Sequence, residues 1–378
     1  MRNTSFGAEA LQLSCRVRIV IKYGNLLKGY SGTKSGKVVF LARNRFPGLL
    51  HAATIMTMKK EKLLQNPWMV GILALLCTTL WGSAFPVIKI GYEMLGITSD
   101  AVGSQILFAG MRFFLAGLLT IVFGSLMERR LLVPKRSSWG KVFKLALLQT
   151  VIQYFFFYVG VANTTGVKSA IITGTNSLLA MLIASLIFRQ EKLGIAKIAG
   201  CLTGFAGVIV ANLSISGMDM GMSIQGEGFV LLAAVSYAFS SVFLKRYSSE
   251  ENPVTLSGYQ FVAGGMILMV IGAVMGGRPG SFTPASVGVL IYLAFLSAVA
   301  YSVWGILLKY NPVSRVTIYG FTNPVIGVLL SALLLGERAL AFNLKNVAAL
   351  VLVSAGVFIV NKFAGQGKRD NSIDTYSR

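Results

Sequence analysis

Away from their ends, the long apolar runs of this 378-residue chain hold no aspartate or glutamate, and no histidine follows His51. A hydrolase or metalloenzyme working inside a membrane needs an acid, a base or a ligand set there. No catalysis, metal or cofactor is therefore expected, and proton coupling through an embedded carboxylate lacks support. Cysteine is scarce as well: Cys15, Cys77 and Cys201 are odd in number and far apart, mostly within apolar runs. That pattern implies neither a disulfide framework nor a metal site. Charge of either sign is thin, 13% of residues against 54% hydrophobic, where a soluble domain carries about a quarter. The composition is that of an integral membrane protein.

The net charge of +22 invites a nucleic-acid reading, but its distribution opposes one. Basic residues cluster before the first apolar run, between runs and in the tail, with no basic stripe interleaved with aromatics. The expected partners are the bilayer and a small-molecule substrate. Residues 1–57 hold nine Lys/Arg against one acid, Glu9. They are expected to be a disordered extension, either upstream sequence read from an early start codon or a functional basic arm.

Crossing a bilayer as a helix takes about 20 mostly apolar residues. Ten segments qualify, roughly 69–91, 103–124, 141–162, 168–188, 195–212, 227–246, 255–276, 285–308, 315–335 and 344–361. Lys59, Lys60 and Lys62 precede the first, while Arg129, Arg130, Lys135 and Arg136 follow the second. Arg189 and Lys192 follow the fourth, and Lys362, Lys368 and Arg369 sit in the tail. The links 92–102 and 213–226 have acids and no Lys or Arg, and Arg338 in 336–343 is the exception. Both termini are therefore expected on the cytoplasmic side of the cell membrane.

The chain also reads twice. Ala206–Asn212 (AGVIVAN) returns as Ala355–Asn361 (AGVFIVN), 149 positions on. Thr175-Asn176 returns as Thr322-Asn323 and Tyr154 as Tyr301, both at an offset of 147. Lys89 recurs as Lys245 at 156, which sets Trp81 opposite Tyr237. Copies over 58–213 and 214–363, followed by a polar tail over 364–378, would each hold five spans. Five is odd, so the second copy enters the membrane inverted. An all-α protein of ten transmembrane helices in two inverted five-helix repeats is the expected fold, and alternating access its expected mechanism.

Particular residues carry a family resemblance. Leu80-Trp-Gly-Ser-Ala-Phe85, Met111-Arg-Phe113, Phe188-Arg-Gln-Glu191 and Leu335-Gly-Glu337 resemble EamA-type members of the drug/metabolite transporter superfamily. The resemblance covers about residues 66–363. It implies a ten-span carrier of small organic metabolites or drug-like solutes, with export favoured over uptake. The chain departs from the pattern at Asn176, where the family often has proline, and keeps Asn323-Pro324 in the second copy. A channel-like pore and a non-transporting binding or sensor protein are the alternatives.

Candidate site residues follow from the cost of polar groups in lipid. Arg112, two or three turns into the second span, is expensive there unless paired or hydrated; it either meets substrate or orders the bundle. Its counterpart, Gln260, is neutral. A cationic cavity would favour carboxylates, such as amino acids or aromatic metabolites. Gln153, Tyr154, Tyr301 and Trp304 are cavity-lining candidates, with interhelical hydrogen bonding as the alternative. Trp81 and Tyr237 join them as a pair that differs between copies, and Asn176 and Asn323 as the polar members of small-residue ridges. Lys168 and Arg315 enter equivalent spans, where a cation opposes the helix dipole. Glu191 and Glu337 follow those spans and either cap a turn or latch two gates. Gly200, Gly204 and Gly207 lack the strand of a dinucleotide fingerprint and read as a packing surface.

Overall fold

The first long helix starts on a side-chain cap: Asn66 Oδ1 accepts the N–H of Trp68 at 2.9 Å, with Pro67 at the first helical position, where its missing N–H costs nothing. The computed structural model describes residues 61–190, 194–212 and 223–364. Ten long helical segments follow in order. They are α1 (Pro67–Leu95), α2 (Val102–Glu128), α3 (Arg136–Ala162), α4 (Gly166–Ile187), α5 (Ile195–Asn212), α6 (Ile224–Tyr247), α7 (Pro253–Val274), α8 (Pro284–Tyr310), α9 (Arg315–Leu334) and α10 (Leu344–Ala364). No strand occurs among the described residues. Eight of these helices are long and apolar enough to cross a membrane; the apolar stretches of α5 and α10, Ile195–Gly207 and Leu344–Gly356, are shorter. The extension 1–57, Glu191 and the tail from 365 lie outside the described residues.

Described residues from Val70 onward belong to one compact unit. Within it, two helix pairs approach closely at glycines. A Cβ on Gly103 would fall 2.7 Å from the backbone nitrogen of Gly277, one on Gly110 2.6 Å from that of Met269, and one on Gly117 2.6 Å from that of Val262. Numbers rise along α2 as they fall along α7, so the two helices pack antiparallel with their backbones touching. The α5/α10 pair repeats this, with a Cβ on Gly207 2.6 Å from the Ala349 carbonyl oxygen and Gly356 facing Gly200 and Gly204. In lipid, where apolar side chains gain little by leaving solvent, such close approach is what holds helices together.

Helix ends are capped by short polar side chains. Thr283 and Ser286 form a reciprocal box at the start of α8, and Asn252 accepts the N–H of Val254 at the start of α7. Three π-helical stretches, Ala146–Ile152, Ile183–Ile187 and Ile224–Gly228, widen α3, α4 and α6. Such stretches interrupt the regular ladder and turn the following residues, Gln153 among them, by part of a turn. Between the helices lies a core rich in rings, with Phe85, Phe108, Phe113, Tyr154, Phe157, Tyr158, Phe261 and Tyr301 all buried.

Candidate functional site

Arg112 stands ten residues into the 27-residue α2, about 15 Å along the helix, well inside a segment long and apolar enough to cross a membrane. It is 1% exposed. Its Nε donates to the Leu293 carbonyl at 3.1 Å and to Ser297 Oγ at 3.2 Å. Nη2 donates to the same Ser297 Oγ at 2.9 Å, and Nη1 to Tyr158 Oη at 2.7 Å. The Phe113 ring lies 4.9 Å from the guanidinium carbon, which adds cation–π attraction. Ion pairs among the described residues include Arg130–Glu128, Lys141–Glu250 and Lys168–Glu227; the partners of Arg112 are a carbonyl and two hydroxyls, with no carboxylate among them. A guanidinium has five N–H groups. These bonds use three, leaving one on each terminal nitrogen.

Beside it is a cavity of about 60 Å³. Its walls include Arg112, Trp81, Gln153, Tyr154, Asn176, Tyr237, Tyr301, Trp304 and Asn323, nine of the ten substrate-path residues expected from the sequence. Phe85, Phe157, Thr173 and the small residues Ala84, Ala233 and Ala234 complete much of the rest. Tyr154 and Tyr301, equivalent in the two readings of the chain, touch hydroxyl to hydroxyl at 2.5 Å. Gln153 Nε2 donates to Tyr301 Oη at 3.3 Å. Trp81 packs edge-on against Tyr237, Tyr301 and Trp304, with centroids 6.2, 5.1 and 4.9 Å away. Trp81 Nε1, Gln153 Oε1, Asn176 Oδ1 and Asn323 Oδ1 are buried without a hydrogen-bond partner. Each such atom costs about 1–3 kcal/mol if nothing meets it.

Residues 68–213 and again 224–362 match the EamA-like transporter family. The chain belongs to that family. It is 28% identical to an uncharacterized transporter of Archaeoglobus fulgidus over 304 residues, 76% of this chain and 97% of that one. A probable amino-acid metabolite efflux pump of Salmonella typhimurium is 27% identical, over 76% of this chain and 93% of its own length. A solved crystal structure superposes with a TM-score of 0.57 at 19% identity, over 79% of this chain and 98% of that one. This EamA-like protein is thus a multi-pass membrane transporter of small metabolites.

Not every expected residue of the transporter reaches the cavity. Gln260 does not line it: its Oε1 accepts from Thr150 Oγ1 at 2.6 Å and its Nε2 donates to Gln149 Oε1 at 3.2 Å. Lys168, Arg315 and Glu337 also lie off it. Glu337 instead caps α4, taking the N–H groups of Gly166 and Val167 at 3.1 and 3.0 Å, where a carboxylate suits the helix dipole. Lys168, disfavoured at that end, pairs with Glu227 at 2.9 Å. Glu227 also accepts from Thr164 Oγ1 at 2.7 Å and from the Ser223 N–H at 2.9 Å.

Sequence reasoning missed Glu227, which is 3% exposed. At the edge of its span it reads as an ordinary interfacial acid, and its only signal is the flanking Gly226 and Gly228. A Cβ on Gly226 would sit 2.7 Å from the Asn163 carbonyl oxygen. Only a glycine lets the α3–α4 turn close over Glu227.

Proposed function

We propose that this transporter moves a small organic solute bearing a carboxylate, with export favoured, across the cell membrane by alternating access. The observation that carries the reading is Arg112: a buried cation well inside an apolar helix, without an acid partner and with two N–H groups left over, beside a cavity. A carboxylate accepts two parallel N–H bonds from one guanidinium. The unpartnered indole and amide atoms around the same space would hydrogen-bond the rest of the solute. The name of the Salmonella relative supports amino acids as the first solutes to try, and export as the direction.

The proposed architecture is ten spans in two inverted five-helix copies, over 58–213 and 214–363, with both termini cytoplasmic. At 18 and 21 residues, α5 and α10 would reach ~27 and ~31 Å and serve as the fifth and tenth spans. Antiparallel pairing of α2 with α7 and the Tyr154–Tyr301 contact are what an axis between inverted copies would produce. At about 60 Å³ the cavity has room for a few waters, well short of the ~300 Å³ or more of organic-ligand sites. Entry of a metabolite therefore requires the walls to part, which suits a carrier better than an open pore. In proteoliposomes, one carboxylate solute should show saturable uptake accelerated by the same solute inside. Linear, non-saturating flux would favour the channel reading.

On this reading Glu337 and the Lys168–Glu227 pair close the non-cytoplasmic side, since they join the α3–α4 turn to the beginning of α6 and the end of α9. Glu337→Ala should open that side. Thr173→Cys, on the cavity wall, would then react about fivefold faster with a membrane-impermeant maleimide added outside cells, a shift that matches a cap worth ~1 kcal/mol. An unchanged rate would leave Glu337 as a cap and nothing more.

A further inference from the structure

The surroundings of Arg112 have a counterpart across the molecule, and the difference between them points to what makes the cavity select an anion. Arg112 in α2 donates to the hydroxyl oxygen of Ser297 in α8. Gln260 in α7, its sequence equivalent, accepts from the hydroxyl of Thr150 in α3. Thr150 and Ser297 stand 147 positions apart, the offset that relates Tyr154 to Tyr301. Each half thus reaches across to a hydroxyl of the other, once with a guanidinium and once with an amide.

The third member breaks the correspondence. Tyr158, which receives the Nη1 bond, has Gly305 at its equivalent position. A Cβ on Gly305 would lie 3.1 Å from Cβ of Pro253, so no phenol projects there. Cation and tyrosine occur together in one half and are missing together in the other. Of the two sequence equivalents, Arg112 lines the cavity and Gln260 does not.

We infer that Tyr158 and Ser297 are positioning residues that aim the Arg112 guanidinium so that its two remaining N–H groups meet a substrate carboxylate. This rests on the anion reading above and adds the residues that set charge selectivity. Both partners are themselves held. Ser297 Oγ donates to the Leu293 carbonyl at 3.1 Å, which leaves its lone pairs for Nε and Nη2 of Arg112. The Tyr158 ring packs 6.2 Å from both Tyr92 and Phe108, and its carbonyl accepts the Tyr92 hydroxyl at 3.2 Å. An arginine fixed at three donors keeps its last two in one plane. A freely rotating one would spread them over many orientations.

The test is a titration of purified full-length protein with 3-phenylpropionate and with its neutral amide, read by tryptophan fluorescence from Trp81 and Trp304 on the cavity wall. Wild-type protein is expected to bind the acid more tightly than the amide. Tyr158→Phe and Ser297→Ala should each weaken the acid about tenfold, the size of one lost charge-assisted bond, and move the amide less than twofold. Ser297→Thr restores the hydroxyl, as Thr150 supplies it in the other half, and should recover most of the loss. If acid and amide weaken alike, or neither weakens, the positioning role is wrong. If Tyr158→Phe does not fold, the Ser297 pair of variants decides the matter alone. Wild-type protein that does not prefer the acid would overturn the anion reading itself.

Discussion

Arg112→Gln is expected to fold and to lose carboxylate transport, with uptake into proteoliposomes down by about 100-fold, as removal of a bidentate charged contact implies. Folding should survive because Gln260 shows that a glutamine fits at the equivalent place, where its oxygen accepts from the hydroxyl of Thr150. The variant has Ser297 as the matching hydroxyl. A buried cation without an acid partner is costly, so its removal should leave the thermal unfolding temperature level or higher. Neutral analogues of the solute should pass as before or better. Transport of carboxylates at the wild-type rate would remove Arg112 from the substrate path. Collapse of the fold would make the guanidinium a strut of the bundle.

The second large effect concerns the α2–α7 contact. Gly110→Val should abolish folded protein or lower its stability by about 3 kcal/mol or more, the upper range for overpacking. The added Cβ would fall 2.6 Å from the Met269 nitrogen and 2.9 Å from the Gly265 carbonyl oxygen. Both are backbone atoms of a helix that cannot yield without separating the pair along its length. Gly288→Ala in α8, where nothing lies within 4 Å, is the control. It should be neutral or slightly stabilising, since alanine is the better helix former. Thermal unfolding in detergent, followed by size-exclusion chromatography, distinguishes the two. Equal behaviour would mean that the glycines are not what holds α2 to α7.

Several features of this transporter were legible because lipid imposes them locally. A span must be apolar over its length, so helix positions could be counted along the chain. A charge inside a span is costly, so Arg112 stood out. Tyr154 and Tyr301 were visible as equivalents from the offset alone, and the structure adds that their hydroxyls meet. Gln260 was the instructive miss. Its place opposite Arg112 is right in the sequence, yet it turns to Gln149 and Thr150, because which face of a helix borders a cavity is set by neighbours on other helices. Glu227 was passed over for a related reason. Its burial comes from a turn fifty or more residues away that closes on it through Gly226.

The sequence alone thus determined the medium, the helical class, the approximate positions of the helices, the recurrence of short segments along the chain and the identity of nine residues of the cavity wall. Each of these depends on the local composition of a segment or on a comparison of segments with one another. Tertiary structure decided what none of those can encode. It brought Arg112 to the cavity and left its equivalent Gln260 off it, showed that no acid among the described residues answers Arg112, and supplied Tyr158 and Ser297 as the groups that hold it. The reason is physical: a hydrogen bond needs its partners within about 3 Å, and only packing brings residues 46 and 185 positions apart to that distance.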